Sequence, residues 1–421
     1  MLHLLTLLSL FAGVLARSHV DVAHERRFLV RRAPTPALKI AIGPKPPFKP
    51  MPVSAPRDRE CIVKGGTTED SAAILSAVKS CINGGKVVFS AGTTYTIGKA
   101  LDLTNLTKID LVVQGKIVFT PDIPYWTANA FKHTFQNAVS FFQLGGSDIN
   151  VYGGGSLDGN GAAWGGKGIR PILFAVNGLK GGQISNINLL NTPQWNNIVK
   201  DSQDVVYDNI KINGKAKNSD GWDTLNSNNI VIQNSDISNG DDCIAFKPGS
   251  VGIVVQNTNC IGSHGASVGS LGQYADRVDI VENIMVYNVS MSNASNGARI
   301  KTWPLHGTMS GVGAGGGGSG RVSNVTFEKF KVSGVESAIT ITQCYGEPDP
   351  AKCAAGPSKV TIENIFMTDF TGTAKGKKGM IGSIQCSTAS SCKNIVLKSI
   401  AVGAGKLKCQ NYKAPECGLT V

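Results

Sequence analysis

No apolar run in this 421-residue chain is long enough to cross a bilayer, which takes about 20 residues. Its ten cysteines include no CxxC spacing and no partnering histidine, so a zinc site is not expected. The glycine-rich run Gly311 to Gly320 lacks the Lys-Ser/Thr ending and the following helix of a phosphate loop; it reads as a flexible loop. The leucine-dominated phrase of leucine-rich repeats is absent. Basic residues do not cluster with aromatic ones, which removes the usual signature of nucleic-acid binding. Acids are scarce, 29 against 41 Lys and Arg, for a net charge of +12.

What is present begins with an export signal. Residues 1–16 are apolar and end in small residues, predicting cleavage after Ala16 and a secreted, extracellular protein. Residues 17–56 hold the dibasic pairs Arg26-Arg27 and Arg31-Arg32 and are rich in proline from 33 onward; they read as a propeptide or flexible lead-in. The folded domain is expected over 57–421. An even number of cysteines agrees with an oxidising compartment. Proximity in sequence favours Cys61 with Cys81, Cys243 with Cys260, Cys344 with Cys353, Cys386 with Cys392 and Cys409 with Cys417, although sequence leaves the connectivity open. Asn105, Asn288, Asn293 and Asn324 head glycosylation triplets. The lead-in carries much of the positive charge; without residues 1–49 a balance of +6 remains. Such a balance attracts an anionic partner, and for an exported chain that partner is an acidic polysaccharide rather than nucleic acid or membrane. A monomer is expected.

Hydrophobic content of 42% with mean hydropathy near zero predicts a folded soluble body, and 50 glycines suit many tight turns. From about residue 147 one phrase recurs, a polar residue followed by alternating apolar ones: Asp148-Ile149, Asn186-Ile187, Asn209-Ile210, Asn229-Ile230, Gly252-Ile253, Asn283-Ile284, Asn324-Val325, Asn364-Ile365 and Asn394-Ile395. Between Ile187 and Ile253 the steps read 23, 20 and 23, and later ones stretch to 31, 41, 40 and 30. Alternation marks strands, and Gly, Asn, Ser and Asp mark turns. A period of this length predicts an all-β, right-handed parallel β-helix whose coils bury their apolar sides on one another. A β-sandwich would need no such step. The segment Asp70 to Cys81 predicts an amphipathic helix, with Ala73, Ile74, Ala77 and Val78 on one face and Asp70 as N-cap, able to plug the open end.

Within the repeats, Asp220 and the pair Asp241-Asp242 stand about one coil apart, which sets them roughly 5 Å apart in space. Singly each aspartate would cap a turn; together they form a cluster in which like charges raise at least one pKa. His264 follows one coil later, and Arg299 and Lys301, two apart on a strand, point to one side. Tyr345 can add a ring or hydroxyl there. Acids at the centre and cations at the margin suit cleavage of an acidic sugar polymer, with Arg and Lys holding carboxylates. Nothing in the pattern asks for a metal or a cofactor.

Asn218-Ser219-Asp220, Gly240-Asp241-Asp242, Gly262-Ser263-His264-Gly265 and Arg299-Ile300-Lys301 resemble the four signature blocks of glycoside hydrolase family 28, the polygalacturonases. The similarity extends from about Cys61 onward and includes Leu157-Asp158-Gly159-Asn160-Gly161 and Asn191-Thr192-Pro193-Gln194-Trp195. Ser219 stands where the family usually has Thr, and Gly240 where endo-acting members commonly carry Gln. With Gly221-Trp222-Asp223-Thr224 and Phe246-Lys247-Pro248, that context is similar to the fungal exo-acting branch. The resemblance implies an inverting hydrolase of α-1,4-linked galacturonate, exo-acting from the non-reducing end. It makes Asp241 the general acid, Asp220 and Asp242 the groups that activate water across a wide carboxylate separation, and His264 the residue that tunes the acid. Arg299, Lys301 and Tyr345 would bind the substrate carboxylate. Asp241 and Asp242 can share a site only if the backbone bends, which Gly240 would permit. Loops Trp303 to Gly320 and Glu347 to Gly356 are candidates to block one end of the cleft. The alternatives are an endo-acting polygalacturonase, a rhamnogalacturonan or xylogalacturonan hydrolase, a pectate lyase, and a non-catalytic pectin-binding β-helix.

Overall fold

The computed structural model describes residues 52–165, 168–309, 313–376, 379–403 and 405–420; the segment expected to be an export signal (1–16) and most of the expected lead-in (17–56) lie outside them. The chain winds as a right-handed parallel β-helix in which 25 strands hydrogen-bond into one continuous network. Alternation explains the core. Ile184, Tyr207, Ile232, Val255, Val286, Phe327 and Met367 pair in register from coil to coil, and all are buried. Each covers the one below, so a coil too thin to own a core shares its neighbours'.

The recurring phrase marks corners, and there are two of them. Asp204, Asn229, Asn283, Asn324, Asn364 and Asn394 form one corner column, while Asn186, Asn209, Asn234, Asn257 and Asn288 form another five residues further along the chain. The 20-residue step therefore joins one corner to the other and is not a coil. In true register, Gly182, Val205, Ile230, Ile253, Ile284, Val325, Ile365 and Ile395 succeed one another. All these corner residues have left-handed backbone, which Asn tolerates better than other side chains. Their amides also stack: Asn209 donates to Asn186, Asn288 to Asn257 and Asn394 to Asn364, each at 2.7 Å.

Helix α1 (Ser71–Cys81) buries Ile74, Ala77, Val78 and Cys81 against the first coils. Asp70 precedes it, but its carboxylate does not cap the helix; it accepts from Thr67 and from the Thr96 amide, tying the preceding turn to a coil strand. All five neighbouring cysteine pairs are bonded: Cys61–Cys81, Cys243–Cys260, Cys344–Cys353, Cys386–Cys392 and Cys409–Cys417. Asn105, Asn288, Asn293 and Asn324 are all exposed. At the start of the glycine-rich loop Gly307–Met309 pairs antiparallel with Gly313–Gly315. Helix α2 (Ile123–Asn129) leads into a short three-stranded sheet that includes Phe131–Lys132 and Val139–Ser140, and α3 (Pro350–Ala355) follows Tyr345.

One parallel sheet of the solenoid carries the site. Its strands are β1 (Phe174–Leu190, by its first residues), β2 (Asn197–Lys200), β3 (Trp222–Leu225), β4 (Ile244–Phe246), β5 (Ala266–Leu271), β6 (Asn296–Thr302), β7 (Ser337–Thr342), β8 (Met380–Gln385) and β9 (Lys406–Gln410).

Candidate active site

Inward residues of these strands, such as Trp222, Ile244, Phe246 and Ile300, belong to the core, so the residues between them face outward. Register aligns the outward ones in a row across the coils: Ala175, Ile198, Asp223, Ala245, Ser267 and Arg299. The turns just before β3, β4 and β5 deliver Asp220, Asp241, Asp242 and His264 beside this row. One oxygen of each of the three aspartates lies within 4.8 Å of the others.

The backbone bends at Gly240-Asp241-Asp242, outside any strand, so both carboxylates reach the same site. Gly240 does not use a left-handed conformation. A Cβ there would lie 3.1 Å from the Ala216 carbonyl and 3.3 Å from Ser219 Oγ, so glycine serves the close approach of two coils. The Ser219 hydroxyl accepts from the Gly240 amide at 2.8 Å, and Asn239 donates to the carbonyls of Ser219, Asp241 and Asp242. These bonds fix the bend.

Each carboxylate has a different environment. Asp241, 19% exposed, shares a 2.8 Å hydrogen bond between its Oδ1 and His264 Nδ1 and accepts on Oδ2 from Asn218 at 3.4 Å. Asp242 is buried; it accepts from Ser267 Oγ and Lys301 Nζ, both at 2.6 Å, with Arg299 3.9 Å away. Burial alone would raise its pKa, but Lys301, Arg299 and Lys247 overcome this and hold it below the usual carboxylate range. Burial, reinforced by Asp223 and Asp241 and opposed by Lys247, pushes Asp220 well up. Asp223 is pushed up to about 7 by burial, against Lys247. The hydrogen bond with Asp241 raises His264. Asp220 and Asp223 therefore retain protons where isolated aspartates would not.

Lys301 is 5% exposed and donates to Asp242 at 2.6 Å, and its ammonium also lies 5.6 Å from the centre of the Tyr345 ring. Arg299 keeps its Nε without a partner among the described residues, and its guanidinium lies 5.5 Å from the centre of the Tyr345 ring. Tyr345 meets Trp303 edge to face, so the ring is held in place. The separation of about 6.5–9.5 Å typical of inverting glycosidases does not apply to the nearest oxygens here, which are closer.

Two further site residues, Asp223 and Lys247, stand in the sequence only as context for the resemblance, in Gly221-Trp222-Asp223-Thr224 and Phe246-Lys247-Pro248, with no role attached. Lys247 is buried, 3.1 Å from Asp223 and 3.9 Å from Asp220, with its ammonium over the Trp195 ring. Strand alternation through Asp223 and Leu225 was the available signal; it carries no mark of charge pairing between coils.

The row is covered at one end. Ala175 and Ile198 lie buried in a second apolar cluster with Phe135, Ala138, Ile172, Trp195 and Leu225, outside the solenoid core. Tyr274 packs against it, and Gln136 donates to Gln273 at 3.2 Å, closing the cover. Beyond Ser267 the row opens, through Arg299 toward the later coils. The sequence had assigned blocking to the loops after Lys301 and Tyr345. Those two pack on each other, Leu305 bonding Gly356 and Thr308 bonding Gly346, and the first also packs on the segment that closes this cover, with Gly316 donating to the Gln273 carbonyl at 2.8 Å.

The family model for glycosyl hydrolases family 28 matches residues 81–418. The chain belongs to that family. As a family 28 member it is 54% identical over 378 residues to exopolygalacturonase X-1 of Emericella nidulans, covering 86% of this chain and 87% of that one. It is 52% identical over 385 residues to an exopolygalacturonase of Cochliobolus carbonum, covering 87% and 86%. Among solved structures, an endo-xylogalacturonan hydrolase from Aspergillus tubingensis superimposes on this family 28 fold with a TM-score of 0.75 at 30% identity, covering 86% of this chain and 98% of that one.

Proposed function

We propose that this chain is a secreted, monomeric exo-polygalacturonase that removes galacturonate from the non-reducing end of α-1,4-linked galacturonan with inversion. Residues 57–421 would be the catalytic unit, released from the signal 1–16 and from the lead-in 17–56. The observation that carries the exo reading is the covered end of the outward row. A polymer lying along the row runs into the cluster around Phe135 and Trp195, so only a chain terminus can reach the carboxylates.

Asp241 and His264, the more exposed of the ionisable pairs, meet the glycosidic oxygen; Asp241 donates the proton and His264 steadies the carboxylate left behind. Asp242, held ionised, and Asp220 orient the attacking water. A water making two hydrogen bonds of about 2.8 Å bridges oxygens about 4.6 Å apart, which matches the close spacing of these groups. Arg299 and Tyr345 hold the substrate carboxylate on the open side, and Lys301 supports them by fixing Asp242.

Digestion of polygalacturonate with early products resolved by size tests the reading. Monomeric galacturonate should dominate from the start, while viscosity falls slowly relative to reducing ends formed. An oligomer ladder at low conversion would reject the exo mode, and an ultraviolet-absorbing unsaturated product would indicate a lyase. Proton NMR of the first product reports inversion or retention.

A further inference from the structure

The outward row does not stop at Arg299. Register continues it through Thr340 on β7 and Ser383 on β8 to Lys408 on β9. Leu407 and Cys409 are buried in the core, so Lys408 faces outward between them. Exposure rises along this path: Ser267 is buried, Arg299, Thr340 and Ser383 are half-buried, and Lys408 is exposed. Lys406, two residues away on the same face of β9, is also exposed. Neither lysine has an ion-pair partner among the described residues. The parallel row beside it, Thr342, Gln385 and Gln410, is occupied with its own side-chain hydrogen bonds and adds no charge.

We infer that this surface is a distal binding platform for the part of an anionic galacturonan that trails away on the reducing side. Lys408 holds a carboxylate several sugars from the bond being cut. Three features support it. The floor is continuous with the site by hydrogen-bond register. Its opposite end is covered, so a bound polymer has only this direction to leave. The three rungs from Arg299 to Lys408 span roughly 14–15 Å, a few pyranose rings in length. Small polar side chains at Thr340 and Ser383 let a chain lie close to the sheet, and an unpaired cation waits at its far end. The inference rests on the proposed hydrolysis of galacturonan, with Arg299 at the near end of the platform.

Kinetics as a function of chain length test it. For the wild type, kcat/KM is measured on digalacturonate and on pentagalacturonate, and the ratio of the two is the readout. In Lys408→Ala the pentamer-to-dimer ratio should fall about two- to fivefold, the upper part of the range for one exposed charge contact. Lys408→Arg should retain it, and raising the salt concentration should narrow the difference between wild type and Lys408→Ala. An unchanged ratio in Lys408→Ala, or an equal loss on dimer and pentamer, would overturn the platform. Release of galacturonate from either oligomer by the wild-type enzyme reports separately on the reaction itself, so failure of the platform and failure of the proposed function give different results.

Discussion

At the scale of single residues, the site is a set of carboxylates distinguished by their neighbours. Asp241→Asn should keep the fold and lower kcat about 10²–10⁴-fold, since proton transfer is what it supplies. Near-wild-type kcat on trigalacturonate would remove Asp241 from the mechanism. The Lys247–Asp223 pair permits a test with opposite signs. Lys247 lies 3.9 Å from Asp220 and opposes its upward shift, while Asp223 adds to it. If ionised Asp220 helps activate water, Lys247→Met should move the acid limb of the kcat/KM profile to higher pH and Asp223→Asn should move it lower. A purely structural pair would shift neither limb. Stability follows the same groups. Folded Asp220 and Asp223 bind protons that the unfolded chain releases near pH 4, so stability should fall as pH rises from about 4 to 7. Asp242 works in the other direction, its contribution being lost only as pH falls below the ordinary carboxylate range. Buried His133, lowered to about 4, opposes this trend over the same range, so the test is comparative: from pH 4 to 7 the melting temperature of Asp223→Asn should rise relative to that of the wild type.

At the scale of elements, corners hold the coils in register. Asn364 has φ of 56° and accepts from Asn394. Asn364→Ala should cost about 1–3 kcal/mol, combining left-handed strain with a lost hydrogen bond; Asn364→Gly should cost less, since glycine keeps the backbone and loses only the amide. Equal destabilisation in urea titrations would show that backbone handedness is not the main term. The corners also explain how the periodicity was misread. Two corners five residues apart carry the same phrase, Asn followed by Ile, so the text of the sequence does not say which corner a match belongs to. Only register between strands separates Asn209 from Asn229. Asp70 holds the expected N-cap position, but its side chain makes no capping bond, because the nearby Thr67 and Thr96 donors compete for the same oxygens.

At the scale of the whole molecule, the covered end of the cleft comes from a segment, residues 131–140, far from the catalytic turns in sequence. Phe135→Ala should loosen the cover, destabilising the protein by about 3–5 kcal/mol at most if the site is fully packed, and di- and trimeric products should appear beside the monomer. Product sizes unchanged in a folded Phe135→Ala enzyme would locate the block elsewhere. The sequence by itself determined the solenoid, the helix over its first coils, the cysteine neighbours and the order of Asp220, Asp241, Asp242, His264 and Arg299, because period, alternation and short motifs are local. Tertiary structure decided what those residues do to one another. It paired Lys301 with Asp242, brought Lys247 and Asp223 into the cluster, and covered the row at Ala175 and Ile198. These are contacts between coils, between strands and an inserted segment, or between buried charges. They depend on distance and desolvation, and neither is written in the spacing of residues along the chain.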